Sequence, residues 1–126
     1  MKKLYIFIFL MISILGGCSS KYIEFSGEST NWDGKYSTTI INGNEEDGSY
    51  TFFYKKGDGN TILKNTELII NNSGTETIQK EEEHQGATFL ISSSCQGCSV
   101  TRENERIKVT IKWDGKYEES FFLEQN

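Results

Sequence analysis

The sequence predicts an all-β fold: an antiparallel, immunoglobulin-like β-sandwich of about eight short strands, with a small β-barrel as the alternative. The chain is rich in glycine and aromatic residues and contains no proline, a mixture that favours strands and turns over helices. In residues 107–113, apolar and polar side chains alternate. This period of two is typical of a strand with one buried and one solvated face.

Short apolar runs separated by turn residues give the positions of the strands. Residues 76–83 fit either a strand or a short helix, because Thr77 and Ile78 favour a strand and residues 79–83 favour a helix; we interpret them as a strand. Polar, glycine-rich segments such as 42–48 are expected to be loops. The expected strands cover residues 21–25, 37–41, 49–56, 66–71, 76–83, 87–92, 107–113 and 116–124.

The last two strands should form a hairpin around Asp114-Gly115, a strong turn signal. A loop of only two residues would turn polar side chains of the final strand toward the core. A shift of one residue exchanges the two faces of a strand. We therefore expect an odd-length loop, or a bulge within residues 118–120, which brings Tyr117, Phe121 and Leu123 onto the apolar face.

The first residues predict an export signal. An apolar run follows Lys2 and Lys3 over residues 4–15, and its length of about 18 Å as a helix is short of a hydrocarbon core of about 30 Å. A transmembrane helix is therefore the weaker interpretation. The run ends in Leu15-Gly16-Gly17-Cys18, which resembles the signal of bacterial lipoproteins.

This signal implies that Cys18 carries a diacylglycerol and becomes the new N-terminus. The expected organisation is a signal peptide over residues 1–17, a lipidated N-terminus and short tether over 18–20, and one β-sandwich domain over 21–126. A diacyl anchor suffices for stable attachment, which places the protein on the outer face of the bacterial cytoplasmic membrane.

The charge of the chain limits its partners. Loss of Lys2 and Lys3 with the signal changes the formal net charge from −5 to −7. An acidic domain argues against nucleic acid and against electrostatic binding to an anionic membrane. The expected partners are the membrane, through the lipid anchor, and an unknown protein or other envelope component. No cofactor is expected beyond the covalent lipid.

Cys95 and Cys98 form the only motif with chemical promise. In an exported protein the pair is expected to be a disulfide, and closing so short a loop contributes about 2 kcal/mol or less. A redox-active pair is the main alternative, but such sites place the first thiol at a helix N-terminus and no helix is expected here. Zinc would need His84 and a carboxylate to complete four ligands, so we expect no metal site, and free thiols are the remaining possibility.

Two tryptophans occupy the same five-residue sequence, Trp-Asp-Gly-Lys-Tyr, at residues 32–36 and 113–117. The main interpretation is a pair of similar turns, each with a buried tryptophan. The alternative is a binding surface made of exposed Trp32 and Trp113.

Other polar segments give weaker signals. His84 follows three glutamates and is expected to be an exposed polar residue, and no nucleophile-elbow pattern supports a catalytic role for it. The acidic segment 42–48 is expected to be solvated, with a calcium site as a minor alternative because it lacks the spacing of an EF-hand. We predict no catalytic residue.

The chain resembles small, mostly uncharacterised lipoproteins of spore-forming Gram-positive bacteria. The resemblance rests on the lipobox, on residues 25–29 followed by Asn31-Trp32, and on the hairpin residues 109–116. It implies an envelope-anchored β-sandwich and brings no catalytic residues with it. The expected function is a non-catalytic binding or structural module of the cell envelope; the alternative is a thiol-disulfide redox protein using Cys95 and Cys98.

Overall fold

The computed structural model describes residues 19–126, and the predicted lipobox with Cys18 lies outside the described residues. Within 19–126 the chain is all-β, as the sequence predicts, with eight strands and no helix. The strands are β1 (Ser20–Glu28), β2 (Trp32–Ile41), β3 (Glu45–Tyr54), β4 (Ile62–Asn72), β5 (Thr75–Gln85), β6 (Thr88–Gln96), β7 (Ile107–Trp113) and β8 (Tyr117–Gln125).

Antiparallel pairing joins all eight strands into one curled sheet in the order β5-β4-β7-β8-β1-β2-β3-β6. β1 and β8 pair only at Phe25–Gln125 and Ser26–Glu124. The sheet folds over at this short ladder, so that Trp32 of β2 meets Trp113 of β7 inside. The result is a half-barrel, which is closer to the predicted barrel alternative than to two separate sheets of an immunoglobulin-like sandwich.

The core lies on the inner face of the curled sheet. Alternate residues of β2, β3 and β7 are buried, as the period of two requires. The largest fully buried side chains are Trp32, Tyr36, Phe25, Phe52, Phe89, Leu63, Leu68, Ile70, Ile107, Ile111, Leu123 and Val109.

The hairpin between β7 and β8 has the odd-length loop that the sequence predicts. Trp113 pairs with Tyr117 across three loop residues, and Val109 pairs with Phe121. Asp114 and Gly115 have φ values of 53° and 70°, the left-handed conformation for which Asp and Gly are suited. The register therefore places Phe121 and Leu123 in the core, where they are 7% and 0% exposed. The expectation for Tyr117 is wrong, because this residue stands next to the hairpin loop and is 46% exposed.

Of the two segments 76–83 and 42–48, one agrees with expectation and one differs. Residues 76–83 belong to a strand, β5, which confirms the strand interpretation. The expected loop over 42–48 is wrong in its second half, because Glu45–Tyr54 form β3 and pair with both β2 and β6. Cross-strand pairing outweighs the turn tendency of Asp47 and Gly48, since each of them has a partner on either side.

Candidate functional site: a polar cleft at the open seam

The curled sheet does not close on itself. β5 and β6 are its two edge strands, and along their whole described length no Cα of one lies within 8 Å of a Cα of the other. Paired strands lie only about 4.8 Å apart. An open seam therefore runs between β5 and β6, and we call it the seam.

His84 narrows the seam at the end near the β5–β6 turn. Its Nε2 lies 2.8 Å from the carbonyl oxygen of Thr88, its Nδ1 lies 2.6 Å from Oε2 of Glu81, and its ring stacks on Phe89 at 3.8 Å. The buried Oε2 has no other hydrogen-bond partner within residues 19–126. The expectation that His84 is an exposed polar residue is thus wrong, because its side chain is only 21% exposed and both ring nitrogens face acceptors.

At the opposite end the seam widens into a cleft of about 390 Å³, which we call the seam cleft. Hydroxyl groups dominate its walls. Ser92, Ser93 and Ser94 of β6 lie on one side, and Thr75 and Thr77 of β5 lie on the other. Hydroxyl groups both donate and accept hydrogen bonds, so this lining suits a polar ligand.

The floor of the seam cleft contains a buried carboxylate, that of Glu46, of which only 6% is exposed. Oε1 accepts a hydrogen bond from the backbone N–H of Thr101 at 2.8 Å. Oε2 accepts hydrogen bonds from the hydroxyls of Thr101 at 2.7 Å, Thr38 at 2.9 Å and Tyr36. Four donors, which belong to three residues on β2 and on the β6–β7 connection, therefore converge on one side chain.

These hydrogen bonds decide the charge of Glu46. Burial alone would raise its pKa, but hydrogen bonds from Tyr36, Thr101 and Thr38 outweigh burial and hold the pKa below its ordinary value. Burial also acts on the neighbouring Tyr50 and raises the pKa of its hydroxyl to about 12. Glu46 is thus an anion that accepts four hydrogen bonds from protein groups, three on Oε2 and one on Oε1.

Tyr36 and Tyr50 bring their aromatic rings together beside this carboxylate. The rings stack with centroids 4.0 Å apart and planes inclined by 14°. Gly48 makes room for them, because a Cβ at this position would lie 2.7 Å from the Tyr36 hydroxyl oxygen. The network continues through Asn72, whose amide donates to the Tyr50 hydroxyl at 3.1 Å.

Cys95 and Cys98 lie in the wall of the seam cleft at disulfide-bonding distance, with Cα atoms 6.0 Å apart. Cys95 stands opposite Glu46 in the β3–β6 ladder. The N–H of Gly97 donates to the carbonyl of Asn44 at 2.7 Å, which continues that ladder into the turn. Both cysteines are half-buried.

The structure does not place Trp32 and Trp113 on a surface. They are 0% and 3% exposed, and their rings meet edge to face with centroids 5.6 Å apart. The alternative of an exposed tryptophan binding surface is therefore wrong, and the main interpretation is right that both tryptophans are buried. It is wrong that residues 32–36 form a turn, because they belong to β2. Both tryptophans occupy inward positions of their strands, and the curled sheet brings them together in the core.

Glu46 was not predicted as a site residue, because it lies in an acidic run that resembles a solvated loop. A signal was nevertheless present. Tyr50 and Phe52 mark the inward face of β3, and counting back in steps of two from them reaches Gly48 and Glu46. If the alternation of inward and outward residues had been extended through the acidic run, it would have placed the Glu46 carboxylate on the inner face of the sheet.

Membrane-spanning helices and metal-binding groups are both absent from the described part of the chain. In the range that the structure describes, no helix is long and apolar enough to cross a membrane, and no group of three His, Cys, Asp or Glu residues is arranged to hold a metal ion. The chain matches no protein family, no curated protein and no solved structure with which it was compared.

Proposed function

We propose that the chain is a lipid-anchored, extracytoplasmic binding module without catalytic activity, and that the seam cleft is its binding site. The observation that carries this proposal is the open seam itself: a cleft of about 390 Å³ between two unpaired sheet edges. Exposed sheet edges take up partners by strand addition, and concave clefts are where proteins bind ligands.

The state of the polar groups in the cleft favours binding over catalysis. The Glu46 carboxylate is occupied by donors from Tyr36, Thr38 and Thr101, and His84 directs its two ring nitrogens to Glu81 and to a backbone carbonyl. A general base needs a free lone pair within reach of a substrate proton. Glu46 is a weak base because its pKa is lowered, and both ring nitrogens of His84 already face acceptors of the protein.

The proposed anchor and the mouth of the seam cleft belong to the same end of the domain. The N–H of Asn42 donates to the carbonyl of Ser19 at 2.9 Å, and Asn44, two residues later in the same turn, accepts from Gly97, which lies between the two cysteines of the cleft wall. If Cys18 carries the lipid, only Ser19 separates it from this end. We therefore propose that the cleft meets its partner close to the outer surface of the membrane.

Two experiments on cells of the source organism test the proposal. For the anchor, a Cys18→Ser variant should leave the membrane fraction, whereas the parent chain stays in it. For the site, a photo-crosslinking amino acid at Ser94 in the seam cleft should give a discrete adduct. The matched control places it at Lys112, an exposed residue on the outer face of β7, where no adduct is expected.

Adducts of equal yield from both positions would contradict a binding role for the seam cleft. An unchanged membrane fraction for Cys18→Ser would contradict the lipid anchor.

The alternative function, thiol-disulfide exchange, has one observation in its favour: Cys95 and Cys98 are half-exposed in the wall of this same cleft. Their reduction potential, measured by alkylation across a redox buffer series, separates the two functions. A value below about −300 mV is typical of a structural bridge, whereas a value of roughly −120 to −230 mV is typical of oxidoreductases. The binding proposal predicts the lower value.

A further inference from the structure

The edge of β6 presents its main-chain groups to the seam. Two hydrogen bonds mark the ends of the ladder between β3 and β6. The N–H of Tyr54 donates to the carbonyl of Ala87, and the N–H of Gly97 donates to the carbonyl of Asn44. Because hydrogen-bonded and non-hydrogen-bonded pairs alternate in an antiparallel ladder, the odd-numbered residues of β6 bond to β3. The N–H and C=O groups of Leu90, Ser92 and Ser94 therefore point into the seam.

This edge lacks the usual protection against strand pairing. Natural edge strands carry charges, proline or bulges that prevent another strand from pairing with them. β6 has no charged residue and no proline over Thr88–Gln96, whereas β5 carries Glu76, Lys80 and three consecutive glutamates. The seam thus has one edge that accepts a strand and one that is charged.

The separation of β5 and β6 excludes direct hydrogen bonding between the two edge strands. The Cα atoms of β5 and β6 are everywhere more than 8 Å apart, and one strand between them would need two spacings of about 4.8 Å. His84 already occupies the carbonyl of Thr88. An added strand could therefore pair with β6 only from Leu90 to Ser94.

Charge and exposure define what such a strand must look like. The opposite edge carries four glutamates, Glu76 and Glu81 to Glu83, against the single Lys80. On the β6 side, Asp47 of β3 stands beside Ser94 in the ladder. Leu90 is 70% exposed on the outer face. A partner that complements these surfaces has cationic side chains and at least one apolar side chain.

We propose that an extended cationic polypeptide segment of a partner protein adds to the edge of β6 as a new strand and fills the seam. The proposal deepens the binding function proposed above and rests on it. Main-chain hydrogen bonds to Leu90, Ser92 and Ser94 would provide the pairing, as in other cases of β-strand addition. The acidic edge of β5 would select the charge of the added segment.

The test uses the purified, unlipidated domain and a blocked synthetic peptide in which valine alternates with lysine. Binding is followed by amide chemical shifts and by hydrogen exchange. We expect the amides of Leu90, Ser92 and Ser94 to become protected when the peptide binds. A peptide of alternating valine and glutamate should bind at least about tenfold more weakly, because it would face the glutamates of β5.

One protein variant removes a main-chain donor from the seam alone. Ser92→Pro removes the N–H that points into the seam. The hydrogen bonds of Ile91 and Ser93 to β3 stay. Proline is tolerated on an edge strand where its missing N–H would have faced away from the sheet. We expect peptide affinity to fall at least about tenfold. Ser92→Ala is the control, since it keeps the N–H and should bind as the parent does.

A second measurement keeps the test valid if Ser92→Pro fails to fold. The same lysine peptide, N-methylated at alternate amides, cannot pair along a strand edge, and we expect it not to bind the parent protein. Strand addition is overturned if the methylated and unmethylated peptides bind equally, or if the glutamate peptide binds as well as the lysine peptide. It is also overturned if no peptide binds, or if the domain instead dimerises through β6.

The two experiments separate failure of the strand-addition proposal from failure of the proposed binding function. A discrete adduct from Ser94 on cells, combined with no binding of the lysine peptide, would leave the seam cleft as a binding site and remove the strand as its ligand. Loss of the Ser94-specific adduct would remove the binding function itself.

Discussion

The backbone N–H of Thr101 donates a hydrogen bond of 2.8 Å to Oε1 of Glu46, which lies 55 residues earlier in the chain. The Thr101 hydroxyl donates to Oε2 of the same carboxylate at 2.7 Å. These two contacts hold the segment between β6 and β7 against β3, and that segment forms part of the cleft wall. The shape of the seam cleft therefore depends on a single buried anion.

Glu46→Gln should destabilise the domain by about 1–3 kcal/mol, because an amide accepts through only one atom and turns its NH₂ group toward existing donors. Urea denaturation followed by fluorescence would measure the loss. Asp47→Asn is the matched control, since this neighbouring residue is exposed, and its effect should stay within about 0.5 kcal/mol. Equal stabilities of the two variants would show that the Glu46 network contributes nothing.

The depressed pKa of Glu46 predicts how stability depends on pH. A carboxyl whose folded pKa lies below its unfolded value binds fewer protons in the folded state, so its contribution is complete above the unfolded pKa. That contribution is lost as the pH falls below about 5, through the folded pKa.

The stability difference between the parent and Glu46→Gln should therefore be largest at neutral pH and shrink toward pH 3. Glu119 also has a lowered pKa, but it titrates in both proteins and cancels in the difference. A difference that is constant with pH would contradict an ionised Glu46 in the folded state.

Gly48→Ala should destabilise the domain by about 1–3 kcal/mol, because the added Cβ would lie 2.7 Å from the Tyr36 hydroxyl and displace it from Glu46. Gly59→Ala is the control: nothing lies within 4 Å of its Cβ position, and we expect little change. Thermal melts of both variants provide the comparison. A Gly48→Ala protein as stable as the control would mean that the two tyrosines can shift without loss.

Replacement of both Cys95 and Cys98 by serine should cost only about 2 kcal/mol or less, since the closed loop is short and restricts the unfolded chain little. Denaturation of the double variant, compared with the oxidised parent, would measure it. A much larger loss would assign the bridge a greater structural role, for instance in keeping Thr101 in place. That second role can be checked from the hydrogen exchange of the Thr101 amide.

Local sequence patterns were sufficient to predict the strands, but not to predict how the strands assemble into one curled sheet. Alternation over residues 107–113 and the Asp114-Gly115 turn predicted the last hairpin and its odd loop. Whether eight strands form two sheets or one curled sheet depends on the β1–β8 ladder, which consists of only two residue pairs. A contact between strands so far apart in sequence leaves no local pattern.

The seam cleft was harder to predict than the fold for a related reason. Glu46, Thr101 and Asn72 come from three distant segments, and each looks like an ordinary loop or surface residue until the sheet curls. Cys95 and Cys98 were identified because their spacing is a local motif. Trp32 and Trp113 were identified as a pair by their repeated sequence, but their burial required the tertiary fold.

The central claim is that β6 is an unpaired edge facing an open seam, and amide hydrogen exchange of the free domain tests it most directly. The amides of Ile91 and Ser93 bond to β3 and should exchange slowly. Those of Ser92 and Ser94 point into the seam and should exchange far faster under the same conditions. Slow exchange at all four residues would contradict the account, because it would mean that the edge is already paired.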